Sequence, residues 1–382
     1  MAETAALILA GWWLATVALR LLLARRVVAA EPPAPSEDPS DVTVMQPILS
    51  GDPLLPLLLA ENLAHHPTTR FLWLVDADDV EGRRITAALA RSSSGQVQVL
   101  LTPSVPAGLN PKVFKLVLGL PHCGAVVAIL DDDTVLPTGA LAAAREALAR
   151  GELVTGLPVY RPGDTPWSRL VAAFVNGNAA ITYLPLLAFG PPVTINGMFC
   201  LTRRDTLEAV GGFAAIADRL CDDLELARLY RAGGLRIVQT AIVHPLATSV
   251  PHASDYARLM RRWMVFAGQL LREELTLPML ALVVLPTALP LAALVVAIAS
   301  GTSLTVAAVL AALVTKALVM ADFRARVLGT AALGVPDGAA TVAAELVADL
   351  VQPVHALAAL VRPGRIRWRD RTLSVVDGGV GS

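Results

Sequence analysis

Three consecutive carboxylates end an apolar run at residues 125–136, AVVAILDDDTVL. The Asp131-x-Asp133 spacing puts two carboxylates on the same side of an extended chain, as oxygen ligands for a hard cation such as Mg²⁺ or Mn²⁺. With Asp132 between them, they repel one another unless a cation shares the site. The plainer alternative is an acidic turn capping a helix that starts near Pro137. A second cluster, Asp76, Asp78 and Asp79, ends another apolar run, with helix capping by Asp79 as its alternative. Between the two clusters lies Gly108-Leu109-Asn110-Pro111-Lys112. Pro111 suits the first turn of a helix, so Lys112 falls at a helix N-terminus, where the dipole disfavours a cation. A phosphate would relieve that conflict; an exposed surface lysine is the alternative. Asp222 and Asp223 open a further helix, as dipole partners or, for Asp223 facing a crevice, as a base for a hydroxyl. Arg258 and Arg262 are four apart and share a helix face able to neutralise a diphosphate. Trp263 suits a membrane boundary, and a basic juxtamembrane helix accommodates all three residues.

These residues need a frame. Segments 42–45, 71–75, 96–101 and 125–130 have the apolar character of buried strands, and 54–63 and 112–120 that of helices between them. The alternation predicts a parallel α/β sheet. Both acidic clusters then sit at carboxyl ends of strands, where ligands bind in such sheets. No internal repeat is present.

Composition adds a membrane. The 382 residues are 55% hydrophobic and 16% charged, with mean hydropathy +0.59, too apolar for a soluble α/β enzyme. A net charge of −1 gives no basic surface for nucleic acid. Cys123, Cys200 and Cys221 form no CxxC and fit buried thiols in a reducing compartment. Residues 5–24 are long enough to span a bilayer, and Arg25 and Arg26 follow rather than precede them. That charge placement predicts an anchor with its N-terminus outside and the rest of the chain beginning in the cytoplasm. A Pro-rich linker (25–41) leads to a soluble domain (42–270). An apolar hairpin (275–322) is broken at 300–303 and has a first arm kinked by Pro286 and Pro290, and Lys316, Arg324 and Arg326 are expected to return the chain to the cytoplasm. In 339–361, Glu345, Asp349, Gln352 and His355 share one face, which predicts an interfacial or re-entrant helix, with a further spanning helix as the alternative. The basic tail (362–382) is expected in the cytoplasm.

Taken in order, these clusters resemble family 2/21-type glycosyltransferases, most closely the ceramide glucosyltransferase group and its bacterial relatives, which include hopanoid glycosyltransferases. The resemblance runs from residue 42 to the C-terminus. It is carried by Asp76–Asp79, GLNPK at 108–112, LDDD at 130–133, NGMFCLTRRDTLEAVGGF at 196–213, Asp222-Asp223, Arg262-Trp263 and IRWR at 366–369. It implies a GT-A-type (Rossmann-like) domain flanked by N- and C-terminal transmembrane helices, in a multi-pass protein of a bacterial inner membrane. It further implies inverting transfer of a sugar, glucose foremost, from a UDP-sugar to a lipid hydroxyl such as ceramide at the cytoplasmic face. On this resemblance Asp131 and Asp133 hold a divalent metal (Mg²⁺ or Mn²⁺) and Asp223 is the catalytic base. Asp76, Asp78, Asp79, Lys112, Asp131, Asp132, Arg262 and Trp263 contact the donor, with Asp222 and Arg258 in support. Two positions depart from the pattern: Leu259 opens the (Gln/Arg)-x-x-Arg-Trp motif, and Asp222 replaces its usual glutamate. The alternatives are a hopanoid or polyprenyl-phosphate sugar transferase, a polysaccharide synthase, which needs more spanning helices, and a non-catalytic scaffold. No obligate protein partner is expected.

Overall fold

A computed structural model describes residues 1–33, 35, 39–93, 95–335 and 337–361, with the strands at 365–368, 371–376 and 379–381, and side chains to residue 358. Residues 34 and 36–38 of the expected linker, and Arg362 and Arg369 of the basic tail, lie outside the described residues. The chain opens with α1 (Ala2–Ala30). Strands and helices then alternate through β1 (Val42–Ile48), α2 (Leu55–His65), β2 (Arg70–Asp76), α3 (Val80–Ser92), β3 (Val97–Thr102), α4 (Pro111–Gly119), β4 (Val126–Leu130) and α5 (Ala140–Ala147). After β5 (Leu153–Tyr160) come α6 (Pro166–Asn176), α7 (Ala179–Leu186), β6 (Phe199–Arg203), α8 (Arg204–Ala209), α9 (Asp222–Ala232) and β7 (Ile237–Leu246). Four helices follow: α10 (Ala253–Glu274), α11 (Leu277–Ala299), α12 (Ser303–Arg326) and α13 (Ala339–Val361). The end forms a three-stranded antiparallel sheet of β8 (Arg365–Trp368), β9 (Arg371–Val376) and β10 (Gly379–Gly381), where charge alone had suggested only a basic tail.

Two compact units result. One comprises Pro32–Pro158, Pro191–Ser249 and Gly364–Ser382; the other comprises Met1–Glu31, Val159–Gly190 and Val250–Pro363.

In the first unit lies a mixed sheet of order β3-β2-β1-β4-β6-β5-β7. β1 to β4 run parallel, and β6 is antiparallel to both β4 and β5. Side chains alternate between its faces with period two. Val44, Phe71, Trp73, Val75, Ala128 and Leu130 build one core, and Met45, Leu72, Leu74, Val127 and Ile129 build the other. Burial on both faces explains the near-continuous apolar runs, and each large side chain removed from water contributes about 1.5–3 kcal/mol. The chain winds outward from β1 to β3 and then returns with β4 on the other side of β1. That reversal opens a crevice at the carboxyl ends of β1 and β4.

The second unit is helical. α1, α11 and α12 are each long and apolar enough to cross a membrane. Ala6 and Ala10 of α1 meet Ala293 and Ala297 of α11 and Ala312 of α12, small residues that let backbones approach closely. Leu7, Ile8, Trp12, Leu19 and Leu22 point outward, as side chains facing hydrocarbon would. α11 contains a π-helical turn at Leu280–Val284 just ahead of Pro286, whose ring displaces the preceding helical hydrogen bond. The two acids on the polar face of α13 are buried against cations, while His355 lies 3.0 Å from the Tyr256 hydroxyl. Lys316 Nζ lies 2.9 Å from Asp349, and Arg324 contacts Glu345 and Asp337 and donates to the Asn176 carbonyl at 3.0 Å. Lys316 and Arg324 are 2% and 1% exposed, so these acids offset charges that burial alone would make very costly.

Candidate active site

The crevice is assembled around Lys112. Asn110 caps α4, its Oδ1 accepting from the Lys112 and Val113 N–H groups at 3.0 and 3.3 Å. Its Nδ2 donates to the Arg219 and Leu220 carbonyls at 3.0 and 3.3 Å. One side chain therefore ties the start of α4 to the loop that delivers α9. The Lys112 ammonium sits 2.8 Å from Asp131 Oδ1 and 3.0 Å from Asp222 Oδ2, and it donates to the Gly197 carbonyl at 2.8 Å. Burial acts against this cation, but Asp131 and Asp222 outweigh it and hold the ammonium above its ordinary pKa. Burial also pushes the Asp131 carboxyl up, with Lys112 opposing.

The three acids after β4 face different ways. Asp131 meets Lys112. Asp132 is buried, and its Oδ2 accepts the Leu49 N–H at 2.8 Å, which joins the ends of β1 and β4. Asp133 is half-buried and accepts the Thr134 hydroxyl at 3.2 Å. The cluster after β2 also divides. Asp76 is buried and lies 3.0 Å from Lys115 Nζ, which also donates to the Ile48 carbonyl at 2.7 Å. Asp78 is exposed. Asp79 caps α3 through Gly82 N at 2.8 Å and takes Ser50 N at 2.9 Å. Burial works against the Asp79 charge, yet the Ser50 and Gly82 donors hold its carboxyl below the usual range.

Asp223 stands in the first turn of α9. Its Oδ1 accepts the Leu224 N–H at 2.8 Å and the Cys221 thiol at 3.0 Å. Burial first, and Asp222 second, push its carboxyl up to about 6, where it can hold or release a proton near neutrality. The structure thus brings Lys112, Asp131, Asp222 and Asp223 together. Arg258, Arg262 and Trp263 are carried by α10 in the helical unit. There Arg258 pairs with Asp255, Arg262 is half-buried, and the Trp263 ring packs against Tyr160 and Phe174, each 5.9 Å away.

Sequence reasoning missed three supports. Lys115 follows Lys112 by one helical turn, and that spacing was the available signal. Asn110 before Pro111 is an N-cap signature. His244 gave no local signal. It is fully buried, pushed down to about 3 by burial, and therefore neutral. Its Nε2 lies 3.1 Å from Asn196 Oδ1, while Asn196 Nδ2 donates to Thr155 Oγ1 at 2.9 Å and the Gly156 carbonyl at 2.6 Å. This network holds the segment whose Gly197 carbonyl receives Lys112 and whose Met198 carbonyl receives the Asp131 N–H at 2.9 Å.

A doubly covered α/β sheet with acids converging at its switch point is the GT-A glycosyltransferase architecture. The profile of glycosyl transferase family 21 matches residues 4–380, and the chain belongs to that family. It is a hexosyltransferase. No curated protein sequence matches it. Among solved structures, it is similar to a mannosyltransferase from Pyrobaculum calidifontis in complex with GDP-mannose and Mn²⁺. That likeness has 20% identity and a TM-score of 0.53 and covers 95% of this chain and 99% of that one. It is also similar, at 16% identity and a TM-score of 0.36, to glucosyl-3-phosphoglycerate synthase from Mycobacterium tuberculosis, over 59% of this chain and 79% of that one.

Among the described residues no three His, Cys, Asp or Glu side chains gather as a ready-made metal cage. Asp131 and Asp133 carry hard carboxylate oxygens of the kind a divalent cation takes, Asp131 being paired with Lys112 in this structure.

Proposed function

We propose that the protein is an inverting, membrane-integrated glycosyltransferase that moves a sugar, glucose in the first instance, from a UDP-sugar to a lipid hydroxyl such as that of ceramide. The observation that carries this reading is the meeting of Asp131 and Asp222, from segments far apart in the chain, on Lys112, with Asp223 beside Asp222 in the same crevice. Asp223 takes the proton of the acceptor hydroxyl as its oxygen attacks the anomeric carbon. The bond to the diphosphate breaks from the opposite face, so the configuration inverts and no covalent sugar intermediate forms. Lys112 supplies a buried positive charge to the leaving diphosphate, and Arg262 is assigned the same task. Asp131 and Asp133 would hold Mg²⁺ or Mn²⁺, whose charge offsets that of the departing UDP. Asp76, Asp78, Asp79 and Asp132 are assigned to donor recognition, Asp76 and Asp132 through the backbone they brace. Incubating the purified protein with radiolabelled UDP-sugars and a bacterial lipid extract tests the reading: labelled glycolipid is expected, and its absence with every UDP-sugar overturns it.

The metal assignment makes its own prediction. Asp133→Ala is expected to lose transfer and metal-dependent UDP binding together, because one of few protein ligands is gone. Full wild-type activity in EDTA would show that the assignment is wrong.

The chain is proposed to be a multi-pass protein with its catalytic domain in the cytoplasm, where UDP-sugars reside. Arg25 and Arg26 follow the first apolar segment, and Arg324 and Arg326 follow the last, which is the distribution expected when both these ends are cytoplasmic. Ser92 and Ser303 are exposed, whereas the native thiols are buried. In intact cells an impermeant thiol reagent should label Ser303→Cys and spare Ser92→Cys, which labels after permeabilisation. The reverse pattern would put the crevice on the wrong side for its donor.

A further inference from the structure

We infer that Cys221 is a positioning residue for proton transfer: its thiol occupies Oδ1 of Asp223 and leaves Oδ2 as the oxygen that receives the acceptor's proton. The inference rests on the reading of Asp223 as the base. Cys221 immediately precedes α9 and is 5% exposed. Its Sγ lies 3.0 Å from Asp223 Oδ1, close for a thiol donor, and the same oxygen accepts the Leu224 N–H at 2.8 Å. Burial, with Asp223 and Asp222 nearby, pushes the thiol far above its ordinary pKa, so the sulfur keeps its proton and acts as the donor.

Two donors on one oxygen fix the carboxylate's rotation and concentrate its remaining accepting capacity on the other. That other oxygen faces Gly197, where an added Cβ would come within 3.4 Å of Oδ2. A side chain at 197 would pack directly against the Asp223 carboxylate on its Oδ2 side, and glycine places none there. The sulfur is thus set on the side away from the approach, and the glycine on the side of it.

The other charged or titratable groups around Asp223 are Asp222, which raises its pKa, Lys112, which lowers it, and the buried Cys200 thiol, which stays neutral. Both hydrogen bonds to Oδ1 stabilise the ionised form. Removing the thiol leaves Leu224 as the only donor on that oxygen among these contacts, frees the carboxylate to rotate and makes it harder to ionise.

The test uses the full-length protein with radiolabelled UDP-glucose and a bacterial lipid extract, measuring kcat from pH 5 to 9 for the wild type, Cys221→Ala, Cys221→Ser and Asp223→Asn. The wild-type acid limb is expected near 6, with activity present above it and lost below as Asp223 takes a proton. Cys221→Ala should move that limb up by roughly half to one pH unit, as loss of a weak donor to a charged group implies, with donor KM unchanged. Cys221→Ser, which restores a donor, should return the limb to the wild-type position or lower. A uniform fall in kcat with the limb in place overturns the positioning role, as does a serine variant that fails to restore it. Full activity of Asp223→Asn overturns the base assignment and this inference with it. An inactive Asp223→Asn beside an unmoved Cys221→Ala limb overturns this inference alone.

Discussion

Asp223→Asn is expected to lower kcat by about 10²–10⁴-fold, the usual contribution of a positioned general base, while UDP affinity stays at the wild-type value. Asparagine keeps the shape of the side chain and an oxygen for the Leu224 and Cys221 donors, so the start of α9 should remain as it is. What it lacks is basicity. Asp222, not Asp223, contacts Lys112, so the cation's pairing with Asp131 and Asp222 should survive the substitution. Parallel calorimetry with UDP and initial-rate assays separate the two effects. If UDP binding disappears along with transfer, Asp223 belongs to the donor site and the base must be sought elsewhere.

Lys112→Met is expected to damage both the fold and the chemistry. Methionine fills much of the same volume but leaves the half-buried Asp131 and Asp222 facing each other without their cation, and the Gly197 carbonyl without its donor. Removing one partner of a buried ion pair typically costs about 3–5 kcal/mol. Protonation offers partial escape. Burial already pushes Asp131 up, and without Lys112 that rise grows. A carboxyl whose folded pKa lies above its unfolded value favours the fold at low pH and loses that advantage as pH rises through the folded pKa. The thermal-unfolding gap between variant and wild type in detergent should therefore be wider at pH 8 than at pH 5.5. A gap independent of pH would mean that the two carboxylates are not what the lysine stabilises. Donor affinity should fall at both pH values, since the cation proposed to meet the diphosphate is gone.

Much of this protein was legible from its sequence because the signals were local. The runs before Asp76 and Asp131 are apolar on both faces, which only a strand covered on both sides requires, and β2 and β4 end where the acids begin. Asp222 and Asp223 open α9 as their clustering implied. The long apolar stretches form α1, α11 and α12. Less legible was the purpose of individual acids. Asp79 caps a helix, Asp132 braces β1 against β4, and Asp76 neutralises Lys115, three tasks that a row of carboxylates does not distinguish.

The sequence by itself determined which segments become strands or long apolar helices and which ends carry charge, because hydrophobic periodicity and length act over a few neighbouring residues. Pairing was decided only in three dimensions. Lys112 bridges Asp131 and Asp222 because the sheet reverses direction between β1 and β4 and Asn110 fastens α4 to the loop before α9. The polar face of α13 looked like a reason for it to lie at an interface. In the folded unit, Glu345 and Asp349 meet Lys316 and Arg324 of α12. A charge in the sequence has a sign but no partner. Its partner depends on which distant backbone the core brings within about 4 Å, where in a low dielectric a single opposite charge decides whether burial is tolerated.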